Sequence, residues 1–431
     1  MARQRLTDTF YKTLDALTPN KLILNQCRLE GNRLQIQNQT YDLSQYDHIY
    51  LFGSGKAVIP MTQAMQKLLT PFSPDTLIVG HTHIVSHTQT SLAALPNTTY
   101  LQSTHPLPSE KSLEAGAALK AKMASLKPND FYIYLLSGGS SAMIEQLVEG
   151  VTLADLQQTT QLMLHHGVPI EEMNVVRKAL SQIKGGKLAH ATSAQGIALV
   201  LSDVLGNDLE TIGSAPLMHT TKPASGLGIL EKYALLEKVP PVVVQALQKA
   251  NIVPPTHIHH HLLATNETVI ETATSLLEQQ GIAVRPFPFR IQGDVEAVAD
   301  KIVQSLPSQK PAQPLCLITG GEATVTVTGN GKGGRNQHLA LTLLNRLKHH
   351  PLANHLTLLC AATDGIDGNS NAAGAVVDAQ LLTQAKTQGF SLQHHLENFN
   401  SHTFFQSLNA QILSGATHNN LLDLLIIYIH P

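Results

Sequence analysis

Apolar positions along the chain fall into short runs that alternate with helical stripes. His48–Phe52 forms such a run and leads into Gly53-Ser54-Gly55. Beyond it Val58, Met61, Met65 and Leu68 recur three or four residues apart, the spacing of one helix face. Pro60 fits only in the first turn of that helix, which places its start close to Lys56. Phe131–Leu136 is a second buried strand, closed by Ser137-Gly138-Gly139-Ser140-Ser141. Thr152 with Asp155 three residues on reads as a helix N-cap pair, and Gly167 as the stop. A helix over roughly Glu171–Ile183 has Met173, Val176, Leu180 and Ile183 as its apolar stripe, with Asn174, Arg177, Lys178 and Ser181 on another face; Gly185-Gly186 ends it. Ile197–Leu201 is a third strand that delivers Ser202-Asp203 at its end.

Strands alternating with helices predict an α/β fold with a doubly wound parallel sheet. In such sheets ligands bind beyond the carboxyl ends of the strands, so three glycine- or hydroxyl-bearing turns fall on the edge where a ligand is expected. The proline-containing stretch Val239–Pro255 marks a domain boundary and divides the chain into residues 1–252 and 253–431. Past it the pattern predicts strands at Ile258–Ala264 and Val284–Phe287, and helices at Thr268–Gln279 and Val295–Leu306. Leu315–Thr319 and Ala323–Thr328 read as two strands around Gly320-Gly321-Glu322. A glycine-dense loop, 329–334, opens a helix near Asn336, and Leu356–Ala362 is a strand ending in Thr363-Asp364-Gly365. Leu421–Ile429, interrupted by Asp423, is too short to span a bilayer of about 30 Å and reads as a buried terminal strand. Met1–Leu17 reads as an amphipathic helix, not a signal peptide.

Composition narrows the partners. The chain has 431 residues, a formal charge of −2, and only 14% charged against 43% hydrophobic residues. That balance argues against nucleic acid or an anionic membrane as a partner. The three cysteines, Cys27, Cys316 and Cys360, are widely spaced and odd in number, which fits a reducing, cytoplasmic compartment. The 22 histidines include doublets, but none stands in a metal-ligating spacing. The oligomeric state stays open, a homo-oligomer included.

Four elements could carry chemistry. Gly53-Ser54-Gly55-Lys56 places a lysine at a helix N-terminus, where backbone N–H groups and the helix dipole attract anions. It lacks the spacing of a Walker A loop; an ordinary tight turn with a solvated lysine is the other reading. Ser137, Gly138, Gly139, Ser140 and Ser141 combine close backbone approach with hydroxyl donors, or serve as a helix cap. Arg177, Lys178, Lys184 and Lys187 concentrate cations around a glycine pair, as an anion site or a solvated face. Gly329–Gly334 matches G-x-G-x-x-G in letters, but no acidic residue follows between Arg335 and Asp364, so a nicotinamide reading fails. Arg335 suits a phosphate clamp instead. Asp203, at a strand end, is a candidate magnesium ligand or general base, and Asp364 with Asp367 could hold magnesium or cap a turn.

In order along the chain, GSGKA (53–57), LLSGGSSAM (135–143), NVVRKALSQIKGGKLA (174–189), LVLSDVLGNDLETIGSAP (199–216), GGEATV (320–325), GNGKGGRNQ (329–337) and TDGIDGNSNAAGAVVD (363–378) resemble the glycerate 2-kinase family, the type II glycerate kinases with a MOFRL domain. The resemblance implies a Rossmann-like N-terminal domain, a smaller α/β C-terminal domain, and transfer of the ATP γ-phosphate to the 2-hydroxyl of D-glycerate with magnesium. It further implies that Lys56 and Arg335 are the basic pair acting on one phosphoryl group; Asp203, read from its place at a strand end, is taken as a third catalytic residue. Gly53, Ser54, Gly55, the 137–141 turn, Arg177, Lys184 and Asn336 would bind phosphate or carboxylate; Asp203, Glu322 and Asp364 would hold the metal. A label of hydroxypyruvate reductase, sometimes attached to the family, and a binding protein without turnover are the alternatives. The chain departs from the family pattern at Ser140, Ala215, His338, Asn371 and the 414–424 stretch, all in or beside binding loops.

Overall fold

The computed structural model describes residues 2–81, 95–220, 225–249, 254, 256 and 258–431. Two compact units emerge: Pro19–Leu263, and Met1–Thr18 together with Ala264–Pro431. The division falls after Leu263 and not at residue 252, because the strand expected to open the second domain completes the first sheet.

The first unit begins with a three-stranded antiparallel sheet, β1 (Cys27–Glu30), β2 (Arg33–Ile36) and β3 (Gln39–Asp42). Its main sheet holds β4 (Ile49–Ser54), β5 (Asp75–His81), β6 (Thr98–Ser103), β7 (Phe131–Leu136), β8 (Gln195–Leu201) and β9 (His259–Ala264). Their spatial order is β6-β5-β4-β7-β8-β9, and every pair from β6 to β8 is parallel. Counted from β4, this is the 3-2-1-4-5-6 order of a doubly wound dinucleotide-type sheet, and the order reverses between β4 and β7. Parallel strands covered on both faces read as continuous apolar runs. All six residues of β7 are buried, which is why that run was legible as a strand.

Helix ends follow their local chemistry. Thr152 and Asp155 form a reciprocal capping box at the start of helix Leu153–His165, and Gly167 (φ +67°) follows its end. The helix after β4 is Val58–Leu68, with Pro60 in its first turn. The cation-bearing helix is shorter than the apolar stripe implied, Ile170–Ala179, because the chain turns at Leu180–Gly186 to pack against the segment Ser214–Pro216.

The second unit is built on a mixed sheet of β10 (Ala283–Pro286), β11 (Ile291–Asp294), β12 (Leu315–Thr324), β13 (Leu356–Ala362), β14 (Gly374–Asp378), β15 (Gln411–Ile412) and β16 (Asp423–Ile429). The order is β10-β12-β16-β13-β14-β15, with β11 also pairing β12. The apolar run that reads as a terminal strand is β16, which is buried throughout and lies antiparallel between β12 and β13. The two strands expected around Gly320-Gly321 are one, β12, and residues 325–328 are not strand. Gly321 (φ +133°) is what permits it: a Cβ there would strike the Ile291 carbonyl of the adjacent β11. Helix Ala2–Ala16 packs on this unit, with Leu6 and Phe10 fully buried and Arg3 paired with Asp378 at 3.0 Å.

Candidate active site

In the first unit the two glycine turns are neighbours at the reversal of strand order. β4 and β7 run parallel with Gly53 opposite Leu135 and Ser54 opposite Leu136, so Gly53–Lys56 and Ser137–Ser141 leave the sheet side by side. They are bonded to each other: Lys56 N–H donates to the Gly138 carbonyl at 3.0 Å and Ala57 N–H to Ser137 Oγ at 3.0 Å. Both turns need glycine. Gly55 (φ +124°) would drive a Cβ into Ser137, and a Cβ on Gly138 would meet the Asp203 carboxylate. At Gly139 (φ +84°) a Cβ would lie 3.0 Å from the His105 ring and 3.3 Å from Lys56 Cγ. Lys56, Asp203, His105 and the Gly138–Gly139 backbone therefore share one spot at the carboxyl edge of the sheet.

The hydroxyls of these turns do less ligand-facing work than the sequence implied. Ser54 is buried and bonded to Tyr134 and Ser140, and Ser140 is buried with it. Ser137 Oγ accepts the Ala57 N–H. Ser141 is half-buried, bonded to Ser214 at 2.6 Å and to Arg177 Nη2 at 3.1 Å. Arg177 also donates to Asn174 at 3.2 Å, and burial lowers its pKa although Glu145 pulls the other way. Burial also raises the Asp203 carboxyl above the ordinary carboxylate range, partly offset by the charge of Lys56.

Lys184 is placed otherwise than the sequence implied. Its ammonium is fully buried in an ion pair with Glu145, whose other oxygen accepts from Ser181 and from the Gln146 N–H. The pair ties residue 145 to the Ser181–Lys184 turn and presents no cation to a ligand. Lys178 and Lys187 are likewise turned inward, onto the carbonyls of Glu210, and of Lys178 and Ser181. Of the four cations in that run, Arg177 is the one bonded to the Ser137–Ser141 turn.

The second unit carries Arg335, Glu322, Asp364 and Asn336, and of the acidic candidates among them Glu322 meets Arg335. Arg335 is the first residue of helix Arg335–Leu347. Its guanidinium grips Asp423 through Nε (2.6 Å) and Nη2 (2.9 Å), and Nη1 meets Glu322 at 2.8 Å. Burial opposes its charge, but the bonds to Asp423 and the nearby carboxylates outweigh burial and raise its pKa. Asn336 is buried, its backbone N–H donating to Asp367 at 2.9 Å; the Gln337 N–H reaches the other Asp367 oxygen at 2.8 Å. Asp367 thus satisfies two of the helix's open N–H groups.

The 329–334 loop that leads into Arg335 matches G-x-G-x-x-G in letters, and three of its N–H groups have protein partners. Gly331 donates to the Asn398 carbonyl, Lys332 to Asn400 Oδ1 and Gly333 to Asn369 Oδ1. A Cβ at Gly329, Gly331 or Gly334 would collide with Asn398, Asn400 or Asp367. Close packing explains these glycines.

Asp423 and Glu145 escaped the sequence reading. Asp423 did leave a signal, a carboxylate inside an otherwise apolar strand. Glu145, three residues beyond Ala142, left none. Among the described residues no group of three or more His, Cys, Asp and Glu side chains is arranged to hold a metal ion. No described helix is long and apolar enough to cross a membrane.

Comparison with known proteins finds relatives along most of the chain. Residues 5–248 match a domain family of unknown function, DUF4147, and residues 315–423 match the MOFRL family. A Thermotoga maritima protein named D-glycerate 2-kinase is 33% identical, over 88% of this chain and 90% of its own. A Bos taurus protein named glycerate kinase is 30% identical, over 98% of this chain and 92% of its own. The chain belongs to the glycerate 2-kinase family. The crystal structure of the glycerate kinase from Thermotoga maritima superposes with a TM-score of 0.85 at 29% identity, covering 99% of both chains.

Proposed function

We propose that this protein is an ATP-dependent phosphotransferase that phosphorylates the 2-hydroxyl of D-glycerate in the cytoplasm. Family membership supports a kinase acting on glycerate. The observation that carries the reading is the pairing of Gly53–Lys56 with Ser137–Ser141 at the strand-order reversal, beside Lys56 and Asp203. Phosphoryl transfer asks little covalent chemistry of the protein. It needs the donor and acceptor positioned and the charge on the transferring oxygens neutralised. Lys56 and Arg335 are the cations we assign to that task. Arg177, with Ser141 and Ser214, is assigned to the carboxylate of the hydroxy acid. Asp203, made more basic by burial, is assigned to accept the hydroxyl proton.

Magnesium, when bound, would neutralise charge on the nucleotide phosphates, and it takes one or two protein carboxylates with water and phosphate oxygens. Of the three acidic candidates Asp203 fits best. It is a poorly solvated carboxylate whose charge a cation would favour, whereas Glu322 is committed to Arg335 and Asp364 accepts the Ile366 N–H.

Coupled ADP detection with D-glycerate, ATP and magnesium tests the reading. Turnover should fall at least 100-fold in Lys56→Ala and in Arg335→Ala, and the product should be 2-phosphoglycerate. Asp203→Asn should lose kcat even at saturating magnesium; rescue by magnesium alone would assign it to the metal only. Equal rates in wild type and both cation variants, or consumption of NADH with hydroxypyruvate in place of ADP release, would overturn the proposal.

A further inference from the structure

Three segments meet where Arg177 bonds Ser141, and each is tied to one buried ion pair. Ser141 lies in the short helix Ser140–Met143, and Glu145 follows that helix by two residues. Arg177 lies on helix Ile170–Ala179, which runs into the turn carrying Ser181 and Lys184. Ser214, the third member, bonds Ser141 at 2.6 Å. Ser214 and Ala215 both stand in the left-handed region, at φ +61° and +54°, where a residue with a Cβ stays only if its surroundings hold it. The far end of the same turn does so. Gly185 N–H donates to the Ser214 carbonyl at 3.1 Å and Gly186 N–H to the Ala215 carbonyl at 2.7 Å.

Glu145 and Lys184 lock this meeting point. Ser181 Oγ, which donates to Glu145, accepts from the Ile183 and Lys184 N–H groups at 3.3 Å. Gln182 N–H donates to the Gln146 carbonyl at 2.6 Å and Val148 N–H to the Leu180 carbonyl at 3.0 Å, which closes the two segments side by side. An ion pair is a costly way to fill a core, because apolar residues of similar size serve about as well once desolvation is counted. What a fully bonded polar cluster adds is direction, a fixed distance and angle between the segments it joins. Arg177, by contrast, is bonded among the described residues to the neutral acceptors Ser141 and Asn174, which leaves its charge for a ligand.

We propose that Glu145 and Lys184 are positioning residues for the substrate carboxylate. Through the 181–186 turn they set Ser214, and through residues 140–145 they set Ser141, so that Arg177 meets the carboxylate in one direction. The proposal rests on the assignment of Arg177, Ser141 and Ser214 to the carboxylate, and adds two buried residues that touch no ligand. Removing both takes away one charge of each sign. The net formal charge beside Arg177 is then unchanged, and only the ordering is lost.

The test uses the full chain. Calorimetry reads D-glycerate binding with a non-hydrolysable ATP analogue present, beside the melting temperature, in wild type, Glu145→Leu/Lys184→Met, Glu145→Gln and Arg177→Ala. The double variant should bind D-glycerate about fivefold more weakly, the scale of one hydrogen bond made badly, and bind the ATP analogue within about twofold of wild type. A purely structural pair would instead restore D-glycerate affinity as the melting temperature recovers, and that result overturns the proposal; so does an equal loss for both ligands. If the double variant does not fold, Glu145→Gln decides, since the amide keeps an acceptor for Ser181 and Gln146 but loses the ion pair. Its D-glycerate affinity should fall about threefold although the site has become more positive. Unchanged or tighter binding would overturn positioning, because charge alone predicts that sign. Arg177→Ala separates this proposal from the assignment beneath it. Loss of D-glycerate binding there, with retention in the double variant, refutes the role of the pair alone. Retention in Arg177→Ala, or no binding by the wild type, refutes the carboxylate assignment and the proposal together.

Discussion

The Glu145–Lys184 pair offers a stability test worked from geometry alone. Both side chains are fully buried, and Glu145 also accepts from Ser181 Oγ and the Gln146 N–H. Replacing one partner strands the other charge in the interior, at a cost of about 3–5 kcal/mol, whereas replacing both with apolar groups of similar size is often close to neutral. Lys184→Met should cost towards the lower end, because Ser181 and Gln146 still satisfy the carboxylate. Glu145→Leu should cost more, since the ammonium loses its counter-charge and both donors lose their acceptor. For a unit of this size each kcal/mol lowers the melting temperature by about 2–4 °C, so Glu145→Leu should melt about 10–20 °C below wild type. The double variant Glu145→Leu/Lys184→Met should recover at least half of that. Calorimetry on the full chain reads the shift, with urea unfolding followed by tyrosine fluorescence as the check, the chain having no tryptophan. A cost below about 1 kcal/mol for Glu145→Leu, or a double variant weaker than both singles, would refute the idea of a mutually dependent buried pair.

Three further outcomes are expected. Gly138→Ala should lower kcat at least tenfold with a melting shift of only a few degrees, because the added Cβ displaces the Asp203 carboxylate at the surface edge of the sheet and not in the core; wild-type turnover would contradict the placement. Burial raises the Asp367 pKa from 3.8 to about 6, with Asp423 adding to the rise and the N–H groups of Gln337 and Asn336 resisting it. The folded chain thus binds this proton more tightly than the unfolded one, so the group's contribution to stability is present below about pH 4 and lost as pH climbs to about 6, by about 3 kcal/mol; Asp367→Asn should flatten that slope in urea titrations across the window. Burial pushes the Cys27 and Cys316 thiols up to about 12 and the Cys360 thiol higher still. All three should resist a thiol reagent at pH 8 until denaturant is added, and labelling in buffer would show that the cores open.

Where local chemistry and the global fold agree, the structure was legible. The runs at Phe131–Leu136 and Leu356–Ala362, the Thr152–Asp155 cap and the two glycine turns follow directly from apolar patterning and turn chemistry. The sheet β1–β3 was not, because its short strands carry mixed polar faces and leave no run to notice. Side-chain roles were harder still. Arg177 and Lys184 sit seven positions apart in one cationic stretch, yet one reaches Ser141 and the other is sealed against Glu145. Only the packing around Glu145 separates them, and no spacing rule encodes it. The role of the glycines of 329–334 was not legible for a related reason: a loop that approaches neighbouring backbone and a loop that approaches phosphate want the same residue.

The position of β16 in the sheet carries a consequence for how the chain assembles. The strands made earlier form two separate ribbons, β10, β11 and β12 on one side and β13, β14 and β15 on the other, and in the sheet Asp423–Ile429 pairs with both. During synthesis the first unit can close around its own sheet while the ribbons wait with unsatisfied edges, and helix Ala2–Ala16 waits longest for the surface it covers. Arg335 acquires its partner Asp423 at that same last moment, so closure of the sheet and alignment of the guanidinium are a single event.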